Sequence, residues 1–148
     1  MRWTPHLTVA AIAERNKTFL MVEERINGNL VLNQPAGHLN DAESLLEAVV
    51  RETLEETGWH FHPESLVGIY RWRNPENGET YLRAALSGEC TDHEPRRPLD
   101  DGIEGVLWLS HSQIVARTVS LRSPLVLRCL DDYLSGTRYP LALLQNLP

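Results

Sequence analysis

Cysteine is scarce in this 148-residue sequence, and the two cysteines lie far apart. Cys90 and Cys129 form no Cys-x-x-Cys pair. The sequence therefore predicts neither a disulfide-bonded scaffold nor a cysteine-rich zinc site. Two isolated cysteines are compatible with a reducing compartment, and we expect the protein to be cytoplasmic.

Long hydrophobic runs are also missing. No stretch approaches the roughly 20 apolar residues that a membrane-spanning helix needs, so we expect no membrane partner. The first residues contain one basic side chain, Arg2, and no signal-peptide cleavage pattern. We therefore expect the sequence to be that of the mature protein.

Positive charge is in short supply as well. The sequence has 14 Lys and Arg against 20 Asp and Glu, which gives a formal net charge of -6. Proteins that bind polynucleotides usually present a basic face to the phosphate backbone, so we expect no nucleic-acid polymer as a partner. An acidic protein can still act on small phosphorylated molecules when a divalent cation lies between the negative charges.

Strand-like and helical segments alternate along the chain. Asn77 and Gly78 predict a hairpin turn between the fourth and fifth strands. Residues 34–37 and 91–102 are predicted to be loops. Six segments have the length and composition of strands, namely residues 7–13, 19–24, 30–32, 66–72, 80–87 and 106–109.

Three helices are predicted from their first residues. Ser44 and Glu47 form a capping box before the first helix, and Gly58 stands where its left-handed C-terminal cap is expected. Ser110 and Ser123 begin two later helices. With no internal repeat or linker, the sequence predicts one domain over residues 1–148. Its class is α/β or α+β, with helices covering a mixed sheet.

The first helix carries a cluster of glutamates. At 3.6 residues per turn, Glu52, Glu55 and Glu56 fall within an arc of roughly 100°. Carboxylates at this spacing repel each other, and Arg51 alone cannot neutralise three of them. Two explanations are open: water tolerates the charges on an exposed face, or a hard cation such as Mg²⁺ or Mn²⁺ binds there.

The spacing of the charged residues around this helix favours the cation. It resembles the Nudix box, Gly-x5-Glu-x7-Arg-Glu-U-x-Glu-Glu-x-Gly-U, where U is a bulky apolar residue. The match spans residues 37–59, and only the two U positions depart from it, with Thr53 and Trp59. The seven fixed positions are matched by Gly37, Glu43, Arg51, Glu52, Glu55, Glu56 and Gly58.

The resemblance to the Nudix hydrolase family implies an α/β/α sandwich with a mixed sheet, in which the box forms a loop, a helix and a loop. It also implies Mg²⁺ as the cofactor, with Mn²⁺ as a substitute. Glu55 and Glu56 match the principal metal ligands, and the Gly37 carbonyl matches a further one. Glu52 matches either a metal ligand or the general base. Arg51 belongs to the same catalytic set, where with Glu43 it is expected to orient the box.

Outside the box the resemblance implies one more acidic ligand from a loop before a late strand. Glu104 is our choice and Asp101 the second, although an exposed loop carboxylate with no such role is an equal alternative. Arg25 and Arg83 are candidates for binding phosphate, and Trp72 for contacting the organic part of a substrate. Ordinary surface arginines and a packed tryptophan are the alternatives for these three.

The likeness also extends beyond the box, to a phosphatase member of the family, through residues 33–39, 121–125 and 135–141. It implies Mg²⁺-dependent hydrolysis of phosphate–phosphate linkages in nucleoside di- and triphosphates and in small pyrimidine diphosphates such as the thiamine precursor, with release of orthophosphate. A pyrophosphate-releasing nucleotide or ADP-ribose pyrophosphohydrolase is the alternative, and a non-catalytic nucleotide sensor is a third. The expected partners are small phosphorylated molecules, and the expected state is a monomer or weak dimer.

Overall fold

A computed structural model describes residues 2–148. Its helices are α1 (Leu45–Thr57), α2 (His111–Val115) and α3 (Pro124–Leu134), with single 3-10 turns at Thr118–Ser120 and Leu141–Leu143. Its strands are β1 (His6–Arg15), β2 (Thr18–Ile26), β3 (Asn29–Asn33), β4 (Ala36–His38), β5 (His60–Arg73), β6 (Thr80–Thr91) and β7 (Ile103–Ser110). Within these residues, no helix is both long and apolar enough to span a membrane.

The strands form a mixed sheet with the order β3-β2-β1-β6-β5. β1 and β6 run parallel, with Val9 opposite Ala84, and the other strand pairs are antiparallel. Two strands leave this path, because β4 pairs with β1 and β7 pairs with β2. The mixed sheet with helices that the sequence predicts is confirmed.

β1 lies at the centre of the sheet and is buried on both faces. Val9 and Ala11 belong to the core that α1 covers, whereas Ile12 belongs to the core beneath α2 and α3. Residues 8–13 are all at most 8% exposed. Continuous burial of this kind is typical of a strand that has helices on both sides, and it gives the molecule three layers.

The capping signals predicted from the sequence are present in the structure. The Ser44 side chain accepts a hydrogen bond from the Glu47 backbone N–H at 3.1 Å, and Glu47 accepts one from the Ser44 N–H at 3.0 Å. Gly58 has φ 76° and its N–H donates to the Leu54 carbonyl at 2.9 Å. These two caps fix both ends of α1, and therefore the direction in which its glutamates point.

The two residues that depart from the Nudix box pattern are accommodated by packing. Thr53 is fully buried, and its hydroxyl donates to the Val49 carbonyl at 2.8 Å, so no polar group is left unpaired. Trp59 packs edge-on against Trp108, with ring centroids 5.6 Å apart, and the Arg15 guanidinium lies 4.5 Å from its ring. Both positions therefore serve the core.

Two parts of the predicted secondary structure are wrong. Residues 34–37 are not all loop, because β4 begins at Ala36 and pairs with β1, with Gly37 opposite Val9. β5 begins at His60 rather than at residue 66. Two register shifts, after Pro63 and after Leu66, let this irregular segment stay paired with β6. Bulges of this kind break the alternation from which a strand is recognised in a sequence.

Candidate active site

Gly37 and Glu52 are in direct contact where β4 meets α1. A Cβ atom placed on Gly37 would overlap the carboxyl carbon and both oxygens of Glu52. Only glycine therefore lets the backbone of β4 approach this carboxylate so closely. The two residues are fifteen positions apart in the sequence, and the strand-to-helix packing brings them together.

Arg51 ties the helix to the strand. Its Nε and Nη2 donate to the two carboxylate oxygens of Glu43 at 2.6 and 2.9 Å. Its Nη1 donates to Glu52 Oε1 at 2.8 Å, and Nη2 also donates to the His38 carbonyl at 3.0 Å. These bonds raise the pKa of Arg51 and hold the pKa of Glu43 below its usual range. Arg51 and Glu43 therefore position the Glu52 carboxylate through charge-assisted hydrogen bonds.

The clustered glutamates of α1 separate into two environments. Glu52 and Glu55 form a group with Asp100, in which one carboxylate oxygen from each lies within 4.8 Å of the others. Glu56 lies outside this group. It is 6% exposed and accepts a hydrogen bond from the Ala36 backbone N–H at 2.9 Å. α1 thus presents carboxylates both to the Asp100 loop and to β4.

The protonation of these carboxylates reflects their burial. Burial raises the pKa of Glu52, and it raises the pKa of Glu56 to about 9. Burial and the neighbouring Glu55 carboxylate raise the pKa of Asp100. A divalent cation stabilises the charged form of neighbouring carboxylates, because it is attracted to several of their oxygens at once. The donor set fits such a cation, because the oxygens of Glu52, Glu55 and Asp100 converge.

The loop carboxylate in this group is Asp100, which differs from the prediction. The Asp100 backbone N–H donates to the Glu55 carbonyl at 3.0 Å, which holds the loop against α1. Asp101 is exposed. Glu104 accepts hydrogen bonds from Arg25 Nη2 at 2.7 Å and Nε at 3.0 Å, so these two residues neutralise each other away from the group. Nothing in the local sequence distinguishes Asp100 from its neighbour.

A cavity of about 270 Å³ adjoins the carboxylate group. Glu52 belongs to both, so it connects the possible cation position with the cavity. Trp72 also lines the cavity, and its contact with a substrate stays a prediction. The charged residues of the lining are Glu24, Glu52, Glu56, Arg83 and Arg122. Of these, Glu24 and Arg122 have no role predicted from the sequence.

Arg83 is the most deeply buried cation of the cavity, at 5% exposed. Its Nη1 donates to Gln34 Oε1 at 3.0 Å and its Nη2 to Asn33 Oδ1 at 3.2 Å. Gln34 is itself held by a 2.7 Å bond to the Val126 carbonyl. The sequence does contain a signal for this burial, since Arg83 directly precedes the apolar residues 84–86 within a strand.

The convergent carboxylates of α1 and the Asp100 loop lie beside a cavity that Arg83 and Arg122 line, an arrangement that suits a cation next to a phosphorylated ligand. A family model described as the NUDIX domain matches residues 4–129, and the chain therefore belongs to the Nudix hydrolase family. Members of this family generally use divalent metals, in agreement with the acidic group around Glu52.

Individual proteins of known sequence or structure are similar to this chain over most of its length. Phosphatase NudJ of Escherichia coli K12 is 40% identical over 140 residues, which cover 95% of this chain and 90% of the relative. The solved structure of a NUDIX hydrolase from Nitrosomonas europaea matches with a TM-score of 0.95 and 48% identity, over 97% of this chain and 98% of that one. The MutT protein of Methanosarcina mazei shares the fold, with a TM-score of 0.72 and 22% identity over 93% and 100% of the two chains.

Proposed function

We propose that the protein is a Mg²⁺-dependent phosphatase that hydrolyses the terminal phosphate–phosphate linkage of nucleoside di- and triphosphates and of small pyrimidine diphosphates, with release of orthophosphate. The observation that carries this proposal is the position of Glu52, which the acidic group and the arginine-lined cavity share. The likeness to phosphatase NudJ over 95% of the chain supports phosphate release.

The residues proposed to hold the cation come from three segments. α1 supplies Glu52, Glu55 and Glu56, β4 supplies the Gly37 carbonyl, and the loop before β7 supplies Asp100. When bound, a divalent cation stabilises charge on phosphate oxygens and activates the attacking water. Mn²⁺ has the same preference for oxygen ligands and is expected to substitute for Mg²⁺.

The protein's own contribution is to orient these groups. Arg51 donates to Glu52 Oε1, and the other oxygen of this carboxylate would be available to hold a cation or to accept a proton from water. Glu43 completes the clamp by holding Arg51 at two points. Such outer hydrogen bonds fix a ligand's direction, and their loss typically costs tenfold to a hundredfold in activity.

The outer part of the cavity is proposed to hold the remainder of the substrate. Trp72 offers an aromatic surface for an organic ring, and Arg83 offers a buried positive charge for phosphate. Arg25, which the sequence also proposes for this role, is occupied by Glu104. With few specific contacts to the base, the site is expected to accept nucleotides with several different bases, because the reaction occurs at the phosphates.

Two other functions are compatible with the same fold. A pyrophosphate-releasing enzyme would use the same carboxylates but attack a phosphorus further from the end of the chain. A sensor that binds nucleotide without hydrolysis needs none of the box glutamates. In this chain Glu52, Glu55 and Glu56 are all present, which favours an enzyme.

The two cysteines are free and buried, which supports action in a reducing compartment such as the cytoplasm.

The products of GTP hydrolysis test the proposal. GTP is incubated with Mg²⁺ to partial completion, and orthophosphate, pyrophosphate, GDP and GMP are measured separately. We expect GDP and orthophosphate first, followed by GMP. A Glu89→Gln variant, which changes a carboxylate outside the box, should behave as wild type. Early GMP with stoichiometric pyrophosphate and no GDP would instead identify a pyrophosphate-releasing enzyme.

A further inference from the structure

The buried Arg83 has no anionic partner within residues 2–148. Its guanidinium donates to the neutral amide oxygens of Gln34 and Asn33 and lies beside the Cys129 thiol, but no carboxylate forms an ion pair with it. Its Nε, also buried, has no hydrogen-bond partner among these residues. An isolated buried charge is strongly unfavourable, and burial lowers the pKa of Arg83. An anionic ligand in the cavity would stabilise this group.

Further positive groups line the same cavity. Arg122 is half-buried there, and within the described chain it forms no ion pair. Its backbone N–H donates to the Leu32 carbonyl at 2.8 Å, which fixes the chain just before α3. Ser123, the N-cap of that eleven-residue helix, and Leu125 in its first turn also line the cavity. The positive end of a helix dipole favours an anion.

We infer that Arg83, Arg122 and the N-terminus of α3 form an anion subsite for the phosphate that stays on the product. The inference rests on the proposed function, because it places the attacked phosphate at Glu52 and Glu56 of the same cavity. Two neighbouring phosphates of one substrate then occupy one continuous space.

The organic part of the substrate has a path out of the cavity. A surface groove of about 710 Å³ adjoins it and shares Trp72, Arg122 and Ser123. Pro75 and Leu127 line the groove further along. Because the groove begins at the proposed subsite, the group attached to the retained phosphate extends into it. This arrangement fits a nucleoside diphosphate with its nucleoside outermost.

Binding of the product without any divalent cation tests the subsite. GMP is titrated by calorimetry into the protein in EDTA, where the acidic group contributes no bound cation. We expect measurable binding to wild type and about tenfold to a hundredfold weaker binding to Arg122→Gln, the loss typical of a hydrogen-bonded charge. Arg96→Gln, which removes one exposed arginine outside the cavity, should bind GMP as wild type does.

Inorganic phosphate in parallel titrations separates a substrate subsite from a general anion site. We expect phosphate to bind more weakly than GMP and to lose affinity in the same variant. Equal affinity for GMP and phosphate would overturn the assignment to a substrate. Equal GMP affinity in wild type and Arg122→Gln, or no GMP binding at millimolar concentration, would overturn the subsite itself.

The outcome is independent of whether the proposed reaction is correct. If the GTP assay failed to release orthophosphate, the EDTA titrations would still report whether Arg122 binds an anion. If Arg122 had no effect on GMP, orthophosphate release from GTP would still support the phosphatase.

With Mg²⁺ and GDP, Arg122→Gln should raise KM by the same factor as the dissociation constant for GMP and change kcat less. Arg83→Lys retains the charge but loses the fork geometry, and should show an intermediate effect.

Discussion

At the scale of single residues, the site depends on a glycine that has no room for a side chain. The Gly37 backbone touches the Glu52 carboxylate, and a Cβ atom would occupy the same volume. The spacing of the Nudix box places Gly37 and Glu52 among its fixed positions, so a role in the site is predicted for both. The contact between them becomes visible only in three dimensions, because it depends on how β4 packs against α1.

Gly37→Ala should therefore inactivate the enzyme without unfolding it. The added methyl group must displace the Glu52 carboxylate, and a shift of about 1 Å at a reacting group costs on the order of a hundredfold in kcat. Gly105→Ala is the matched control, since its Cβ would meet the Glu23 carboxylate outside the box. Steady-state kinetics with GDP measure both variants. Near wild-type kcat in Gly37→Ala would contradict the role assigned to this contact.

Glu56 gives a prediction for the metal-free protein that depends on pH. Its pKa is raised to about 9 from an ordinary value of 4.5, so the folded state keeps a proton that the unfolded state releases. The free energy of unfolding should fall as pH rises between these values, by at most about 1.4 kcal/mol per pH unit. Glu56→Gln should remove this contribution, remain folded and lose nearly all turnover.

Urea unfolding of both proteins in EDTA, from about pH 5 to about pH 9, measures the difference. The two curves of unfolding free energy against pH should diverge, with the wild type falling more steeply. Parallel curves would show that Glu56 ionises normally in the fold. Turnover of Glu56→Gln near the wild-type rate at saturating Mg²⁺ would separately contradict its place among the metal ligands.

At the scale of structural elements, α1 is the part that the sequence predicts best. Its apolar spacing and both caps are local signals, and the structure contains each of them. The short strand β4 is not predictable in this way. It has three residues, follows Pro35, and owes its existence to pairing with β1 across a long sequence separation. Non-local pairing is absent from any local pattern.

The loop before β7 shows the same limit for the candidate site. The resemblance to the Nudix family implies one acidic ligand from this region, and Glu104 is the predicted residue. In the structure Glu104 forms an ion pair with Arg25, and Asp100 belongs to the acidic group instead. The hydrogen bond from the Asp100 N–H to the Glu55 carbonyl holds Asp100 beside α1. Because this contact joins backbone atoms, the side-chain sequence does not reveal it.

Thermal stabilisation by Mg²⁺ distinguishes these loop carboxylates. A cation that binds only the folded state raises the melting temperature as its concentration increases. The rise should shrink strongly in Glu55→Gln and Asp100→Asn. It should be nearly unchanged in the matched variants Asp101→Asn and Glu104→Gln, and in Glu89→Gln outside the box. Scanning calorimetry over a Mg²⁺ series measures the shifts. Equal shifts in every variant would indicate general screening of charge.

At the scale of the whole molecule, the fold class follows from the order of its segments, whereas the topology does not. Alternating strands and helices predict a mixed sheet covered by helices, and that prediction is confirmed. The parallel pairing of β1 with β6, and the departure of β4 and β7 from the main strand order, depend on packing over the entire chain.

One domain over residues 1–148 stays a prediction, and unfolding in denaturant tests it. The cores on the two faces of the sheet share strand β1, so we expect them to melt together. Trp59 and Trp108 report on the face that α1 covers, while far-UV circular dichroism reports on every helix and strand. The two signals should give coincident transitions in urea. Separate midpoints would indicate two independently folding units.

The position of oxygen-18 after hydrolysis of GDP tests the central claim most directly. Cleavage of GDP gives GMP and orthophosphate whichever phosphorus is attacked, so the products alone do not identify it. Water enriched in oxygen-18 labels the phosphorus that it attacks, and mass spectrometry locates the label. With the retained phosphate at Arg83 and Arg122 and the terminal one beside Glu52, the label should appear in orthophosphate. Label in GMP would contradict this placement and the terminal-phosphate mechanism.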